Sequence, residues 1–128
     1  MKITISSLGL DDTRESVASQ LRPDDYRMFH PSEWKERWYR MDNSGIDVTY
    51  DESGSVHRIE AGLLEIDGID ASRWNVKQFE QVLGPAPLVG SSREVGKTDR
   101  RHLSYPQYRL LIYLEPDGNR FILFEPGF

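Results

Sequence analysis

The sequence contains one pattern twice: a short helix pattern, then an alternating strand that runs into a turn closed by glycine. The helix patterns contain Val17 and Phe79, which are 62 residues apart (79 minus 17), and the turns close at Gly54 and Gly118, which are 64 apart (118 minus 54). A near-constant offset of this size indicates a repeated structural unit. We therefore predict an α+β fold in which two repeated helix-plus-hairpin units form one curved antiparallel sheet, with the helices packed on one face.

The length and composition fit a single domain over 1–128, with repeat one at about 8–64 and repeat two at about 65–128. A chain of 128 residues buries about two-thirds of the surface that its unfolded form exposes. The absence of cysteine excludes a disulfide framework, a thiolate nucleophile and a cysteine zinc site. The first residues form neither an apolar signal segment nor a membrane span, so we expect a cytoplasmic protein that does not enter a membrane.

The charge is acidic and unevenly distributed. The chain has 16 basic and 21 acidic residues, a net charge of −5, and its first 64 residues hold 8 of the basic and 12 of the acidic ones. Nucleic-acid binding depends on clustered Lys and Arg, so this bias argues against a nucleic-acid partner and favours a basic protein. The alternative is that the charge serves only solubility.

Cap residues mark the two helices. Asp12 and Glu15 have the spacing of a capping box, which predicts a helix that continues to about Leu21 and stops at Pro23. Asn75 and Gln78 repeat the arrangement before the second helix, which should end at Gly84 and Pro85. The polar segment 86–101 has no period and is predicted to be a loop, either mobile or functional.

Alternation predicts two hairpins. The first pairs Ile46–Tyr50 with Val56–Ala61, and the second pairs Tyr108–Leu114 with Asn119–Phe124. The second hairpin is the most apolar part of the chain, and we place it at the centre of the sheet. Between the first helix and the first hairpin, residues Trp34–Arg40 fit a strand, although the spacing of four between the two tryptophans also fits a helix.

The face of the sheet opposite the core is the candidate docking surface. On the second hairpin this face carries apolar and aromatic residues where a solvent face would be polar, and such residues anchor interfaces. The alternative is that the two tryptophans or the long loop cover it. The predicted partner-binding residues are Asp47, Thr49, Arg109, Leu111 and Tyr113, with Trp34 and Trp38 as candidate anchors.

The sequence gives little evidence of a nucleotide, metal or catalytic site. The segment Gly90–Thr98 resembles a phosphate-binding loop, but five residues separate its glycines where that motif has four. His30, His57 and His102 lie far apart in sequence and form no metal-ligand pattern. No Gly-x-Ser-x-Gly nucleophile motif is present. We therefore predict no catalytic residues, no metal and no cofactor, and a protein that acts by binding.

The repeated unit resembles that of the β-lactamase inhibitory protein and of the small outer-membrane-assembly lipoproteins. The resemblance rests on Leu21 with Pro23, on Leu83–Pro85, and on the glycine turns at Gly54 and Gly118 with their flanking strands. It implies one additional strand in each repeat, near Trp34–Arg40 and Arg101–Tyr105, and thus six strands in a curved sheet with the helices on its convex side.

By class, a small acidic cytoplasmic protein of this kind resembles the immunity proteins that neutralise bacterial toxins. The resemblance implies that the concave sheet face and the loop Gly90–Arg101 dock on a cognate toxin. A basic nuclease, which the acidic first half would attract, is the candidate toxin. The alternative function is a small-molecule carrier or sensor that uses the curved sheet as a cup. An enzyme of an unrecognised family is the third class. We expect a monomer or weak dimer.

Overall fold

The computed structural model describes residues 1–21, 26–40, 44–86, 88–92 and 100–125. Within these ranges the fold is α+β, as predicted, with two helices and two antiparallel sheets. The elements are β1 (Ile3–Ile5), α1 (Arg14–Leu21), β2 (Arg27–Ser32), β3 (Lys35–Tyr39), β4 (Gly45–Tyr50), β5 (Val56–Ala61), β6 (Leu64–Ile66), β7 (Ile69–Asp70), α2 (Val76–Leu83), β8 (Leu88–Ser92), β9 (Arg100–Tyr105), a 3₁₀ turn (Pro106–Tyr108), β10 (Leu110–Leu114) and β11 (Arg120–Phe124).

The larger sheet, called the main sheet below, has eight strands in the order β2-β3-β4-β5-β11-β10-β9-β8. The two predicted hairpins, β4–β5 and β10–β11, are both present. They meet at the middle of the sheet, where β5 pairs with β11, so the second hairpin lies near the centre as predicted. The smaller sheet has the order β1-β6-β7.

Both helices begin with reciprocal cap hydrogen bonds, one of them shifted by a residue from the prediction. The Asn75 side chain accepts from the Gln78 N–H, and the Gln78 side chain accepts from the Asn75 N–H, so this capping box is confirmed. Before α1 the pair is Thr13 and Ser16: the Ser16 hydroxyl accepts from the Thr13 N–H at 2.8 Å, and the Thr13 hydroxyl accepts from the Ser16 N–H at 3.3 Å. The Asp12 carboxylate accepts from the Gly9 N–H at 2.7 Å and from the Ser16 hydroxyl at 2.8 Å.

One hydrophobic core joins the helices, the smaller sheet and one face of the main sheet. We call this the core face; it carries Val48, Ile59, Leu123 and Leu110, which the strand register places in one row. Helix α2 packs on the same face, because the rings of Phe79 and Phe121 lie 6.2 Å apart. The opposite side of the main sheet is called the outer face.

Several predictions about strands are wrong. The single sheet of six strands is replaced by two sheets with eleven strands in the described ranges. Within the segment Trp34–Arg40 the strand alternative is correct, and the strand covers Lys35–Tyr39. The predicted loop 86–101 contains strand β8, which pairs with β9. Pro23, Asp42, Asn43 and residues 93–99 of that loop lie outside the described residues.

Candidate functional site

The strand register brings four of the predicted site residues to the outer face. Asp47 and Thr49 alternate with buried residues on β4, and Leu111 and Tyr113 do the same on β10. The register continues across the sheet from Asp47 through Glu60 and onward to Leu111, so these side chains share one side. The prediction that they lie on a common face is confirmed.

Trp38 does not belong to this surface. Its side chain is only 4% exposed and lies within the hydrophobic core, because Trp38 pairs with Ile46 on the core face. The prediction that Trp38 anchors a partner is therefore wrong. A residue of this size in the core contributes to stability through buried apolar area.

Arg109 is also placed differently from the prediction. It has a left-handed backbone (φ +55°) and closes the 3₁₀ turn just before β10, so strand alternation does not extend to it. Its guanidinium donates to Glu125 at 2.8 Å. The side chain also lines a depression of about 230 Å³ together with Met1 and Leu123, at the end of the sheet.

The centre of the outer face is an apolar residue surrounded by ion pairs. Ile122 lies on this face and is buried, although it is not part of the hydrophobic core. Beside it, Glu60 accepts from Arg58 at 2.7 Å and from Arg120 at 2.9 Å. One carboxylate is thus shared between two guanidiniums, and the three side chains form a connected ion-pair network on the outer face.

A depression of about 150 Å³ on the outer face is lined by Arg58, Glu60, Tyr113 and neighbouring side chains. Small-molecule sites typically enclose about 300 to 1,000 Å³. Larger depressions lie elsewhere, at the end of the sheet around Trp34.

The Trp34 side chain is half exposed, and hydrogen bonds hold the backbone of its turn in place. It lies in the turn between β2 and β3 and is 45% exposed. Its carbonyl accepts from the Tyr50 N–H at 2.8 Å, and the preceding carbonyl of Glu33 accepts from the Arg14 guanidinium at 2.8 Å. These bonds tie the turn to β4 and to α1, so the exposed indole belongs to a fixed backbone. Such preorganisation reduces the entropy lost when a side chain enters an interface.

Two depressions flank Trp34, and together we call them the Trp34 cleft. One, of about 520 Å³, lies between the start of α1 and the β4–β5 turn, and the other, of about 670 Å³, borders Thr49 and Tyr50. The first contains four carboxylates and one guanidinium. These charged residues are Glu15, Glu33, Asp51, Glu52 and Arg14. The acidic excess of the first half is therefore concentrated around an exposed indole.

Backbone bonds fix the wall of the cleft that the β4–β5 turn provides. The Arg14 N–H donates to the Gly54 carbonyl at 2.9 Å, and the Val56 N–H donates to the Asp12 carbonyl at 2.9 Å. The start of α1 and the residues before it are thereby joined to the turn at Gly54 and at Val56. Gly54 has φ +84°, a conformation that glycine adopts without the strain that other residues incur.

Asp51 organises this turn. Its Oδ1 accepts from the Ser53 hydroxyl at 2.7 Å, from the Ser53 N–H at 2.9 Å and from the Ser55 N–H at 3.0 Å. The side-chain bond from Ser53, with the two backbone bonds, lowers the pKa of Asp51 below its ordinary value of 3.8. The carboxylate therefore stays charged throughout the neutral and mildly acidic range, and the neighbouring Glu52 keeps its position on the turn.

We expect this turn to keep its structure until the pH falls below the ordinary aspartate range. A lowered folded-state pKa stabilises the protein above the unfolded value, and this contribution is lost as the pH falls through the folded value. The NMR shifts of the Ser53 and Ser55 amide protons should titrate with a midpoint below 3.8. Asp51→Asn should abolish that titration, whereas Asp117→Asn, in the other hairpin turn, should preserve it. A midpoint at or above 3.8 would contradict the role of Asp51.

A buried carboxylate lies behind the cleft, and the sequence did not single it out. Glu36 is buried on the core face of β3, where its Oε1 accepts from the Tyr50 hydroxyl at 2.5 Å and from the Trp38 indole N–H at 3.4 Å. Its Oε2 lies 3.9 Å from Arg14 Nε and 3.8 Å from His30 Nδ1. Burial, and next the hydrogen bond to Glu36, raise the pKa of Tyr50 well above its ordinary value.

This network links three of the elements that build the cleft. The Arg14 guanidinium also lies over the Tyr50 ring, 4.7 Å from its centre. Arg14 thus connects α1 to the β2–β3 turn through Glu33 and to β4 through Tyr50. The arrangement supports the cleft from beneath.

Other kinds of site receive no support from the described residues. In those ranges no three His, Cys, Asp or Glu side chains are grouped as they would be around a metal ion. Likewise, neither described helix has the length and apolar character that a membrane crossing requires. His102 lies on β9, where its ring packs edge-on against Tyr113 at 4.3 Å.

Comparison with known proteins adds little to this picture. No protein-family model matches the sequence, and no curated protein is significantly similar to it. Among solved structures, the fold is similar to the crystal structure of a DUF4309 family protein, YjgB, from Bacillus subtilis. That alignment covers 95% of this chain and 86% of the other, at 13% identity and a TM-score of 0.47.

Proposed function

We propose that this protein is an inhibitor of the immunity-protein type, which binds a basic bacterial toxin, such as a nuclease, through the Trp34 cleft. The observation that carries the proposal is the placement of Trp34: the indole is half exposed and lies between two depressions whose walls hold the carboxylates of Glu15, Glu33 and Glu52. An aromatic anchor beside uncompensated acidic groups suits a partner that presents Lys or Arg.

Electrostatics favour a partner of this charge. The acidic groups of the cleft outnumber its one guanidinium, and that guanidinium already donates to the Glu33 carbonyl. A concave surface with one sign of charge raises the rate at which oppositely charged proteins associate. The net charge of −5 acts in the same direction.

The outer face serves as the second part of the interface in this proposal. Thr49 borders the cleft and points to the outer face, so the two surfaces are continuous. Leu111 and Tyr113 then supply apolar contact area, while the ion pairs around Glu60 lie beside Ile122 and Tyr113. Interfaces commonly combine an apolar centre with a polar rim in this way.

We also infer that the fold arose from two copies of one unit. The order β2-β3-β4-β5-β11-β10-β9-β8 places the first-half hairpin against the second-half hairpin, with β3 and β9 next outward and β2 and β8 at the edges. The two helices precede equivalent hairpins in the chain. The resemblance to the β-lactamase inhibitory protein, the curvature of the sheet and the cytoplasmic location stay predictions.

The test starts with tagged protein as bait in a lysate of its native cells, followed by mass spectrometry. We expect one basic partner whose expression alone arrests growth, and whose toxicity is relieved when this protein is produced with it. Glu52→Lys should weaken that protection, because it places a cation in the acidic cleft. Glu80→Lys makes the same change in charge on the exposed side of α2, which lines neither depression, and should protect fully.

Two results would refute the proposal. One is a partner that binds but whose activity the protein leaves unchanged. The other is equal protection by Glu52→Lys and Glu80→Lys with a confirmed toxin, which would exclude the cleft as the contact surface. Recovery of a small molecule in place of a protein would instead support the carrier function.

A further inference from the structure

Strand β2 is an exposed edge of the main sheet. It lies at the end of the strand order, and all six of its residues are exposed. Eight large apolar side chains are exposed among the described residues, and four of them belong to the β2–β3 hairpin: Met28, Phe29, Trp34 and Tyr39. An edge strand with exposed apolar side chains is a template for pairing with another strand.

The hydrogen bonds of β3 determine which backbone groups of β2 are free to pair. The Tyr50 N–H donates to the Trp34 carbonyl, and the Arg40 N–H donates to the Ser44 carbonyl. These bonds flank the β3–β4 ladder and share its register. Since bonding alternates along an antiparallel strand, the even-numbered residues of β3 bond to β4 and the odd-numbered ones bond to β2.

It follows that the backbone hydrogen-bonding groups of Met28 point away from β3. Arg27 lies opposite Tyr39 and Phe29 lies opposite Arg37, which are odd-numbered residues of β3, so Arg27 and Phe29 bond inward. The Met28 N–H and C=O then point outward from the edge. Beyond Phe29 the register of β2 shifts.

The irregular end of β2 limits how far a pairing strand can extend. The register shift lies between Phe29 and Ser32, and Pro31 has no N–H to donate. Bulges and prolines of this kind restrict pairing at sheet edges. The usable part of the edge is therefore the triplet Arg27-Met28-Phe29.

We propose that this triplet pairs with the same triplet of a second copy of the chain, antiparallel, with the two Met28 residues opposite each other. The two Met28 residues then exchange two backbone hydrogen bonds. On each side, Arg27 lies opposite Phe29 of the second copy, where the guanidinium can rest on the exposed ring. The dimer is closed by a two-fold axis, because the same surface serves both subunits.

A second copy suits this edge because two Arg27-Met28-Phe29 triplets in antiparallel orientation are complementary to each other. In the proposed register no two like charges lie directly opposite, since each Arg27 lies opposite an aromatic ring and each Met28 lies opposite another Met28. The short ladder and the absence of further edge pairing beyond Pro31 imply a weak association. The proposal is independent of the toxin partner and of the Trp34 cleft.

Single cysteines test the register, because the chain contains none of its own. Residues opposite each other in a hydrogen-bonded antiparallel pair have Cα atoms about 5.5 Å apart, which is within the range for a disulfide. We expect Met28→Cys to form disulfide-linked dimers at least about tenfold faster than Phe29→Cys, whose cross-strand separation of about 7 to 8 Å is too long. Val82→Cys, on α2, is the matched control, since Val82 and Met28 are both 41% exposed.

Charge variants of Phe29 test the contact with Arg27 by sedimentation equilibrium of the full chain. Phe29→Lys places like charges opposite each other twice and should weaken dimerisation at least about tenfold, whereas Phe29→Glu forms two opposite-charge pairs and should keep it. The wild-type protein should show a reversible monomer–dimer equilibrium. Three outcomes would each overturn the proposal. The first is a wild-type chain that stays monomeric at millimolar concentration, and the second is equal dimerisation by the Phe29→Lys and Phe29→Glu variants. The third is equal cross-linking by the Met28→Cys and Val82→Cys variants.

Discussion

Glu36→Ala should lower the free energy of unfolding by about 2 to 4 kcal/mol, because it removes the acceptor from two buried donors, each costing about 1 to 3 kcal/mol when unsatisfied. The donors are the Tyr50 hydroxyl at 2.5 Å and the Trp38 indole N–H at 3.4 Å. The second bond is long, so most of the loss comes from Tyr50. Arg14 and His30 contribute less, since both side chains are about half exposed and lie nearly 4 Å away.

Urea denaturation of the purified variants measures this effect. Glu36→Gln keeps an oxygen that accepts from Tyr50 and should lose clearly less stability than Glu36→Ala. A double-mutant cycle with Tyr50→Phe isolates the shared hydrogen bond, and the two mutations should cost less together than their sum. If the Ala and Gln variants were equally stable, or if Ala cost under about 1 kcal/mol, the buried hydrogen bonds would contribute little.

The elements that the sequence predicts best are those whose local pattern agrees with their final environment. In the β4–β5 hairpin, Ile46, Val48 and Tyr50 alternate with polar residues, and they are buried as that alternation implies. Helix α2 has both a capping box and a terminal glycine, and its bounds follow from them. Local chemistry was sufficient in both cases, because each element buries one face against a single core.

Strand β2 could not be found in this way. Its residues are all exposed, so burial imposes no alternation, and Pro31 within it argues against a strand. Its strand conformation depends on pairing with β3, which is a property of the hairpin and not of the segment alone. The short strands β1, β6 and β7 have too few residues to show a period.

The site was only partly predictable, because the alternation treats Trp34 and Trp38 alike although their surroundings differ. Alternation along the segment predicts that Trp34, Glu36 and Trp38 share one side, and the structure places Glu36 and Trp38 on the core face of β3. The core covers Trp38 and Glu36, whereas Trp34 lies at the end of the sheet beside the first residues of α1. No pattern within the segment distinguishes these positions, since the difference depends on where α1 begins over the sheet.

The same difference separates the effects expected from the two tryptophans. Trp38→Ala should destabilise the protein, because large-to-small changes of buried aromatic residues cost about 3 to 5 kcal/mol. A loss of partner binding by that variant would therefore not identify a contact. Trp34→Ala should leave the fold intact, since Trp34 is 45% exposed and its backbone bonds do not depend on the side chain.

If the cleft is the contact surface, Trp34→Ala should weaken binding to the captured toxin by about 2 to 4 kcal/mol, or about 30- to 1,000-fold in Kd. The indole would lose both its buried apolar area and its contact with a partner cation, which carboxylates on both sides help to hold. Isothermal titration calorimetry measures the change. Trp34→Phe keeps an aromatic ring and should recover part of the affinity, whereas Val82→Ala, an exposed apolar change on α2, should have no effect.

The salt dependence of these variants separates the indole from the carboxylates around it. Trp34→Ala removes apolar contact, so its binding should keep the wild-type dependence on ionic strength. Glu52→Lys changes the field around the cleft, and its loss of affinity should shrink as salt screens the charges. A Trp34→Ala affinity within about threefold of wild type, in a folded protein, would exclude Trp34 as an energetic anchor and leave the outer face, with Leu111 and Tyr113, as the contact surface.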